Sequence, residues 1–293
     1  MNENKILVIK HGSLGDIISA TGVLNCIRRY YKDSEIHLLT TSQYEKILKR
    51  TNFFDLVFID NRNKFFSNIS NVYNLLSQKY NLVIDLQNSQ RTMFYALFFN
   101  IFTSTKWNGT RLGSNIRYKY NKPPHVIEGL KNQIKLLGIN CNEDTSLDWL
   151  ETNYKIPNEI IDKPFFIINP GCSVKNIQKS WSAIYFAEIC KYLTTKNIKP
   201  VIIGAGQDKY IINNICLNTN YALNLLDISP LNAVFALSKL ALGALSIDTG
   251  PAHLIAATGC KLHLVLSSFS KVGQVIPKGK NVSYTQKDNI NEI

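Results

Sequence analysis

Charge is scarce in this chain, and negative charge scarcer still. Only 18% of its 293 residues are charged, and 21 Asp and Glu stand against 33 Lys and Arg, a formal net charge of +12. With 45% hydrophobic residues, that scarcity excludes a largely disordered chain, which would be charge-rich and poor in core formers. No apolar run reaches the roughly 18 to 20 residues of a membrane span. The start, Met1-Asn2-Glu3-Asn4-Lys5, leads directly into the short run Ile6–Ile9. It lacks the longer apolar region and small-residue cleavage site of a signal peptide, so a cytoplasmic protein is expected. The cysteines Cys26, Cys141, Cys172, Cys190, Cys216 and Cys260 include no Cys-x-x-Cys pair. A zinc knuckle or redox motif is therefore unsupported, and most of them read as plain buried thiols. His11, His37, His125, His253 and His263 are scattered, and there is no His-x-x-x-His or Asp-x-Asp, so no metal site is expected.

What is present is alternation. Short β-branched and aromatic runs read as strands: Lys5–Ile9, Glu35–Thr40, Leu56–Asp60, Leu82–Asp85 and Thr105–Gly109 in the first half. Runs with apolar residues three and four apart read as helices: Asp16–Tyr31, Tyr44–Lys49, Phe65–Gln78, Ser89–Phe102 and His125–Leu137. The pattern restarts at Phe165–Asn169 and continues with strands at Pro200–Gly204, Ala222–Leu225, Leu242–Ile247 and Leu262–Leu266. Helices fall at Ser182–Thr194, Lys209–Leu217, Pro230–Lys239 and Gly250–Ala257. Near-continuous apolar strands alternating with helices predict an α/β protein with parallel sheets. The polar stretch Glu151–Lys163, with Pro157 and Pro164 close by, reads as a linker between two domains, 1–160 and 161–293. Ligands in such sheets bind beyond the carboxyl ends of the strands, which makes an interdomain cleft the expected site. The segment from Lys271 onward is polar and weakly periodic and is expected to end loosely.

Four strand-to-helix loops carry candidate chemistry. The first, Lys10-His-Gly-Ser-Leu-Gly-Asp16, is neither a Gly-x-Gly-x-x-Gly fingerprint nor a P-loop. Asp16 there can cap the following helix or act as a general base. The second, Asn169-Pro-Gly-Cys-Ser173 with Lys179-Ser-Trp181, supplies a hydroxyl at Ser173 and a mobile cation at Lys179, both suited to phosphate. The third, Asp248-Thr-Gly-Pro-Ala-His253, opens a helix. N–H groups at Thr249 and Gly250 could hold a diphosphate, while Asp248 could equally be a cap and His253 a packed residue. The fourth, Gly204-Ala-Gly-Gln-Asp208, places a carboxylate where it could meet ribose hydroxyls, or forms a simple turn.

Together these loops resemble glycosyltransferase family 9, the ADP-heptose:lipopolysaccharide heptosyltransferases. The resemblance rests on Lys5-Ile-Leu-Val-Ile-Lys10 with Ser13-Leu-Gly-Asp16, on Asn169-Pro-Gly171 with Lys179-Ser-Trp181, and on Asp248-Thr-Gly-Pro-Ala-His253. Leu82-Val-Ile-Asp-Leu-Gln87 with Arg91 resembles the family's acceptor-side segment, and His125–Leu130 through Gly138 its interdomain helix. The resemblance implies a GT-B fold, two Rossmann-like domains facing across a cleft, with acceptor bound by the first and nucleotide-sugar donor by the second. It implies inverting transfer of a heptose or related sugar from an ADP-sugar to a lipopolysaccharide-core acceptor, without metal or other cofactor. By position, Asp16 is the base. Ser173, Lys179, Asp208, Asp248, Thr249, Gly250 and His253 belong to the donor side, and Gln87 and Arg91 to the acceptor side. Ser180 and Ser182 flank Trp181 where the family often has a basic residue and a proline.

The +12 charge then fits an anionic glycolipid acceptor and peripheral contact with the inner face of the inner membrane, rather than nucleic acid, for which no recognition motif is present. Other NDP-sugar chemistry on the same fold, such as epimerisation, and a non-catalytic sugar-nucleotide binder are the competing readings.

Overall fold

A computed structural model describes residues 4–61, 72–150, 153–171, 178–228 and 230–287. The chain divides into two compact units, Met1–Trp149 and Leu150–Ile293. The division falls eleven residues before the expected one at 160. Trp149 is buried with the first unit, its indole Nε1 donating to Ser146 O, while the Tyr154 hydroxyl donates to Ile228 O in the second.

The first unit holds β1 (Lys5–Ile9), α1 (Leu14–Tyr30), β2 (Glu35–Thr40), α2 (Ser42–Lys49), β3 (Leu56–Ile59), β4 (Leu82–Asp85), α3 (Gln90–Phe102), β5 (Lys106–Gly109), β6 (Ile116–Arg117) and α4 (Val126–Lys135). A helical stretch also covers 72–77, and the rest of the helix expected over 65–78 lies outside the described residues. All strands pair in parallel, in the order β3-β2-β1-β4-β5-β6. Parallel strands covered on both faces must be apolar throughout, and from Ile6 to Ile9 every residue of β1 is fully buried.

The second unit repeats the scheme with β7 (Phe165–Asn169), α5 (Ala183–Thr195), β8 (Lys199–Gly204), α6 (Lys209–Asn218), β9 (Leu223–Leu226), α7 (Leu231–Leu240), β10 (Ala244–Ser246), α8 (Gly250–Ala257), β11 (Leu262–Ser267), α9 (Val272–Val275) and β12 (Val282–Lys287). Its parallel order is β12-β11-β10-β7-β8-β9. In each unit strand order reverses once, between β1 and β4 and between β7 and β10. An open α/β sheet leaves a crevice at such a point, beyond the strand ends.

One expectation is corrected and one refined. The stretch after Lys271 is not loose as far as Lys287: β12 pairs with β11 over six residues, from Leu262↔Val282 to Ser267↔Lys287. It is an edge strand with mostly exposed side chains, so backbone pairing rather than an apolar pattern forms it. Three of the five described cysteines are free thiols, as expected, but two are not. Cys26 and Cys141, 115 residues apart, form a disulfide, because Ser146 N donates to Thr21 Oγ1 and Asn25 Nδ2 to Glu143 Oε2, laying this segment along α1. Cys190 and Cys260 are buried thiols and Cys216 is partly buried. Cys172 lies outside the described residues.

Candidate functional site

At the β1/β4 crevice of the first unit, the strand ends feed two loops that hold each other. The chain leaves β1 through Lys10 and His11, and the His11 N–H donates to Gln87 Oε1 (3.0 Å) in the loop after β4. Gly12 has φ +111°, and a Cβ there would lie 2.8 Å from the Asp16 carboxylate, so only glycine lets this carboxylate fold back over the loop. Asp16 Oδ2 accepts from Ser13 N (2.8 Å) and Ser13 Oγ (2.9 Å), and Ser13 Oγ faces the Asp16 amide in return. This is a capping box on α1. It consumes one carboxylate oxygen. Oδ1 has no hydrogen-bond partner among the described residues. Capping and catalysis, alternatives in the sequence, are here compatible.

Beneath the loop lie Lys10 and Asp85, both buried. Lys10 Nζ donates to Leu86 O (3.3 Å). Burial pushes its pKa down, against the opposing pull of the Asp16 and Asp85 charges. Asp85 Oδ1 accepts from the amides of Gln87 (3.0 Å) and Asn88 (2.9 Å). Burial nonetheless pushes Asp85 up to about 6, with those amides and Lys10 holding it back. Asp85 thus shapes the loop that carries Gln87.

Arg91, expected on the acceptor side, is committed to a partner. Its Nε and Nη2 donate to the two oxygens of buried Asp60 (2.8 and 2.6 Å), and Tyr95 Oη donates to Asp60 Oδ2 (2.7 Å). His11 Nε2 lies 3.9 Å from the same carboxylate. Asp60, Asp85, His11 and Lys10 were not singled out as site residues in the sequence. A usable signal was there: both aspartates end apolar strand runs, Leu56–Ile59 and Leu82–Ile84, where a buried carboxylate needs a function or a partner.

At the β7/β10 crevice of the second unit, Asn169 Nδ2 donates to Ser246 Oγ and to Thr249 Oγ1, both at 2.8 Å. These bonds tie the two strand ends together. Lys179 Nζ donates to Asp248 Oδ2 at 2.6 Å, and Ser270 Oγ donates to the same oxygen at 3.2 Å. Helix α8 begins at Gly250 with Pro251 in its first turn, and Thr249 makes no side-chain cap to it. Its first amides are therefore not satisfied by the capping side chain, and Lys179, held by Asp248, stands at the same sheet end. His253 is half-buried on the first turn. Asp208 is buried: its Oδ2 accepts from Ala205 N (3.0 Å), and a Cβ on Gly171 would fall 2.1 Å from its carboxyl carbon. Burial and nearby Asp227 raise its pKa. Asp227, exposed at the end of β9 and not anticipated, is the accessible carboxylate here. Ser173 lies outside the described residues. Among the described residues, no group of three His, Cys, Asp or Glu converges as metal ligands.

Comparison with known proteins agrees with this architecture. A glycosyltransferase family 9 protein from Veillonella parvula superposes with a TM-score of 0.78 at 18% identity, covering 98% of this chain and 87% of that one. The Escherichia coli ADP-heptose lipopolysaccharide heptosyltransferase II gives 0.74 at 17% identity, covering 99% and 94%. The Escherichia coli heptosyltransferase WaaC with ADP gives 0.73 at 17% identity, covering 98% and 94%. The fold is GT-B. No curated protein sequence matches the chain significantly. The sequence does match glycosyltransferase family 9 (heptosyltransferase) over residues 71–263, two thirds of the chain, and the protein belongs to that family of glycosyltransferases.

Proposed function

We propose that the protein transfers a heptose, or a closely related sugar, from an ADP-sugar to a lipopolysaccharide-core glycolipid, with inversion and without a metal. The observation that carries the reading is Asp16: one oxygen locked to Ser13, the other open, on a loop clamped at a sheet crevice. A sugar hydroxyl is a poor nucleophile. In the proposed step Asp16 Oδ1 takes its proton as the oxygen attacks the anomeric carbon opposite the diphosphate. The new C–O bond forms, the anomeric bond to the diphosphate breaks, and negative charge grows on ADP. General-base assistance of this kind is worth about 10²–10⁴-fold. Lys179 and the first amides of α8 neutralise the leaving diphosphate, Lys179 being held ready by Asp248.

The remaining roles follow the same division. The N–H groups of Thr249 and Gly250 meet the diphosphate, Asp248 and His253 shape their loop, and Ser173 adds a hydroxyl on sequence grounds. Asp208 orders the loop after β8, and Asp227 or Asp208 meets the ribose. Gln87 and Arg91 lie on the acceptor side. The ADP in the WaaC structure supports an ADP-linked donor. A net charge of +12 supports an anionic acceptor and peripheral contact with a cytoplasmic membrane face.

The test is incubation of the purified chain with ADP-heptose and a Kdo–lipid A acceptor, followed by mass spectrometry. The expected product is the acceptor plus one heptose, with release of ADP. Donor consumption that does not need the acceptor would instead identify an epimerase or hydrolase. Donor binding with no turnover on any core acceptor would identify a binder.

A further inference from the structure

Helix α3 is apolar on both faces. Thr92, Tyr95, Ala96 and Phe99 turn into the first unit. The opposite face carries Phe94, Leu97, Phe98 and Ile101 at three- and four-residue spacing, and all four are exposed. Ile101 and Phe102 are 72% and 67% exposed, and Phe98 stacks on Phe102 with ring centroids 6.3 Å apart. The solvent face of a helix ordinarily carries charge. The one charged residue of α3 is Arg91, and its guanidinium is turned to Asp60.

The rim of this stripe is basic. Asn100 Nδ2 donates to Gly113 O (2.8 Å), and a Cβ on Gly113 would lie 3.1 Å from Ala96 Cβ, so the turn after β5 packs on α3. That turn adds Leu112, 64% exposed, to the apolar surface. Arg111 Nε donates to Asn88 O in the loop after β4 and Arg117 Nε to Thr110 O, and neither has a carboxylate partner among the described residues. From Thr110 to Lys122 the chain has four basic residues and no acidic one.

We propose that this face docks the first unit on an anionic lipid bilayer. The apolar side chains of α3 and Leu112 enter the boundary between headgroups and acyl chains, and Arg111 and Arg117 meet lipid phosphates. At 13 residues, about 20 Å long, α3 lies in the plane of the interface and does not cross it. Charge selects the occupant. A second copy would set the same basic rim against its own and bring two chains of +12 together, whereas an anionic bilayer complements both the stripe and the rim. The purpose of the docking rests on the proposed glycolipid acceptor, since α3 begins three residues after Gln87, at the acceptor-side crevice. Its measurement needs neither donor nor acceptor.

The experiment is flotation of the full chain with phosphatidylglycerol-containing vesicles and with pure phosphatidylcholine vesicles, at low and high salt. Binding is expected on the anionic vesicles, weakened by salt. The double variant Phe98→Ser/Ile101→Ser should lower it by roughly tenfold or more. Arg111→Gln should lower it about fivefold on anionic vesicles alone. All three positions are exposed, and ADP affinity by calorimetry should match wild type in every variant. Wild-type chain that fails to float, or a double variant that floats like wild type, overturns the inference. So does a dimer, by light scattering, that the double variant dissolves without any vesicle binding. Flotation without heptose transfer sinks only the functional reading. Transfer to a detergent-solubilised acceptor without flotation sinks only this one.

Discussion

Asp16 is asked to do two jobs, and they can be separated by substitution. Asn at this position keeps a side-chain oxygen for Ser13, so the cap on α1 survives, but it cannot accept a proton. Asp16→Asn is therefore expected to unfold within about 1 kcal/mol of wild type while transfer falls about 10²–10⁴-fold. Urea unfolding and steady-state transfer check the pair, and near-normal turnover would remove Asp16 from the mechanism. Asp85 makes a different prediction, about pH. Its ordinary pKa of 3.8 is raised by burial to about 6 in the folded chain. Between about pH 4 and pH 6 the folded state holds a proton that the unfolded state has lost. The associated stability is full below the lower value and is lost as pH rises through the upper one, about 3 kcal/mol for a shift of two units. Asp85→Asn should flatten this slope, since Asn Oδ1 can still accept from the Gln87 and Asn88 amides. Denaturant unfolding of both proteins from about pH 4 to pH 7 measures it, and an unchanged slope would reassign the window to another group.

Elements rather than single residues build the proposed donor site. Helix α8 brings an uncapped N-terminus, β10 brings Asp248, and the chain before α5 brings Lys179 to the same sheet end. Removing the lysine leaves Asp248 without its cation and the diphosphate without its mobile positive charge. Lys179→Ala should bind ADP more weakly by calorimetry and lose about 10²–10³-fold in transfer, the usual cost of one preorganised charge-stabilising group. Wild-type ADP affinity would show that the lysine serves Asp248 and not the nucleotide. At this scale the sequence was largely readable. β1, β2, β4 and β7 are buried apolar runs, and such runs announce themselves. The capping signals Ser13 with Asp16 and Ser89 with Thr92 mark the helix starts they serve. What stayed hidden depended on distant partners. β12 is written in polar residues because it is paired on one side only. Arg91 looks like a free cation until Asp60, 31 residues away, is placed against it. The burial of Asp208 shows only when Gly171 is seen lying over it. Cys26 and Cys141 give no short-range sign of their bond, being 115 residues apart.

The whole molecule is two units, each with its own six-stranded sheet and its own core. One core joins Leu7, Val83, Phe99 and Trp107, and the other joins Ile168, Trp181, Phe186 and Val265. Every residue proposed for the donor side belongs to the second unit, and Asp16, Gln87 and Arg91 belong to the first. A ligand that binds only folded protein stabilises the part that must be folded to bind it. ADP at a hundred times its Kd should therefore add about 2.7 kcal/mol to the second unit alone. The tryptophans separate the two readouts, since Trp107 and Trp149 lie in the first unit and Trp181, two residues past Lys179, is the second unit's only one. Trp181→Phe keeps an aromatic ring in this core and removes an indole N–H that is buried with no partner among the described residues. In wild type, ADP should raise the thermal transition reported by Trp181. In Trp181→Phe, the transition reported by the two remaining tryptophans should stay where it is without ADP. If both move together, the units unfold as one cooperative body. If neither moves while a UDP- or GDP-sugar shifts Trp181, the donor nucleotide is not ADP, and the assignment of the second unit must be rebuilt around the base that binds.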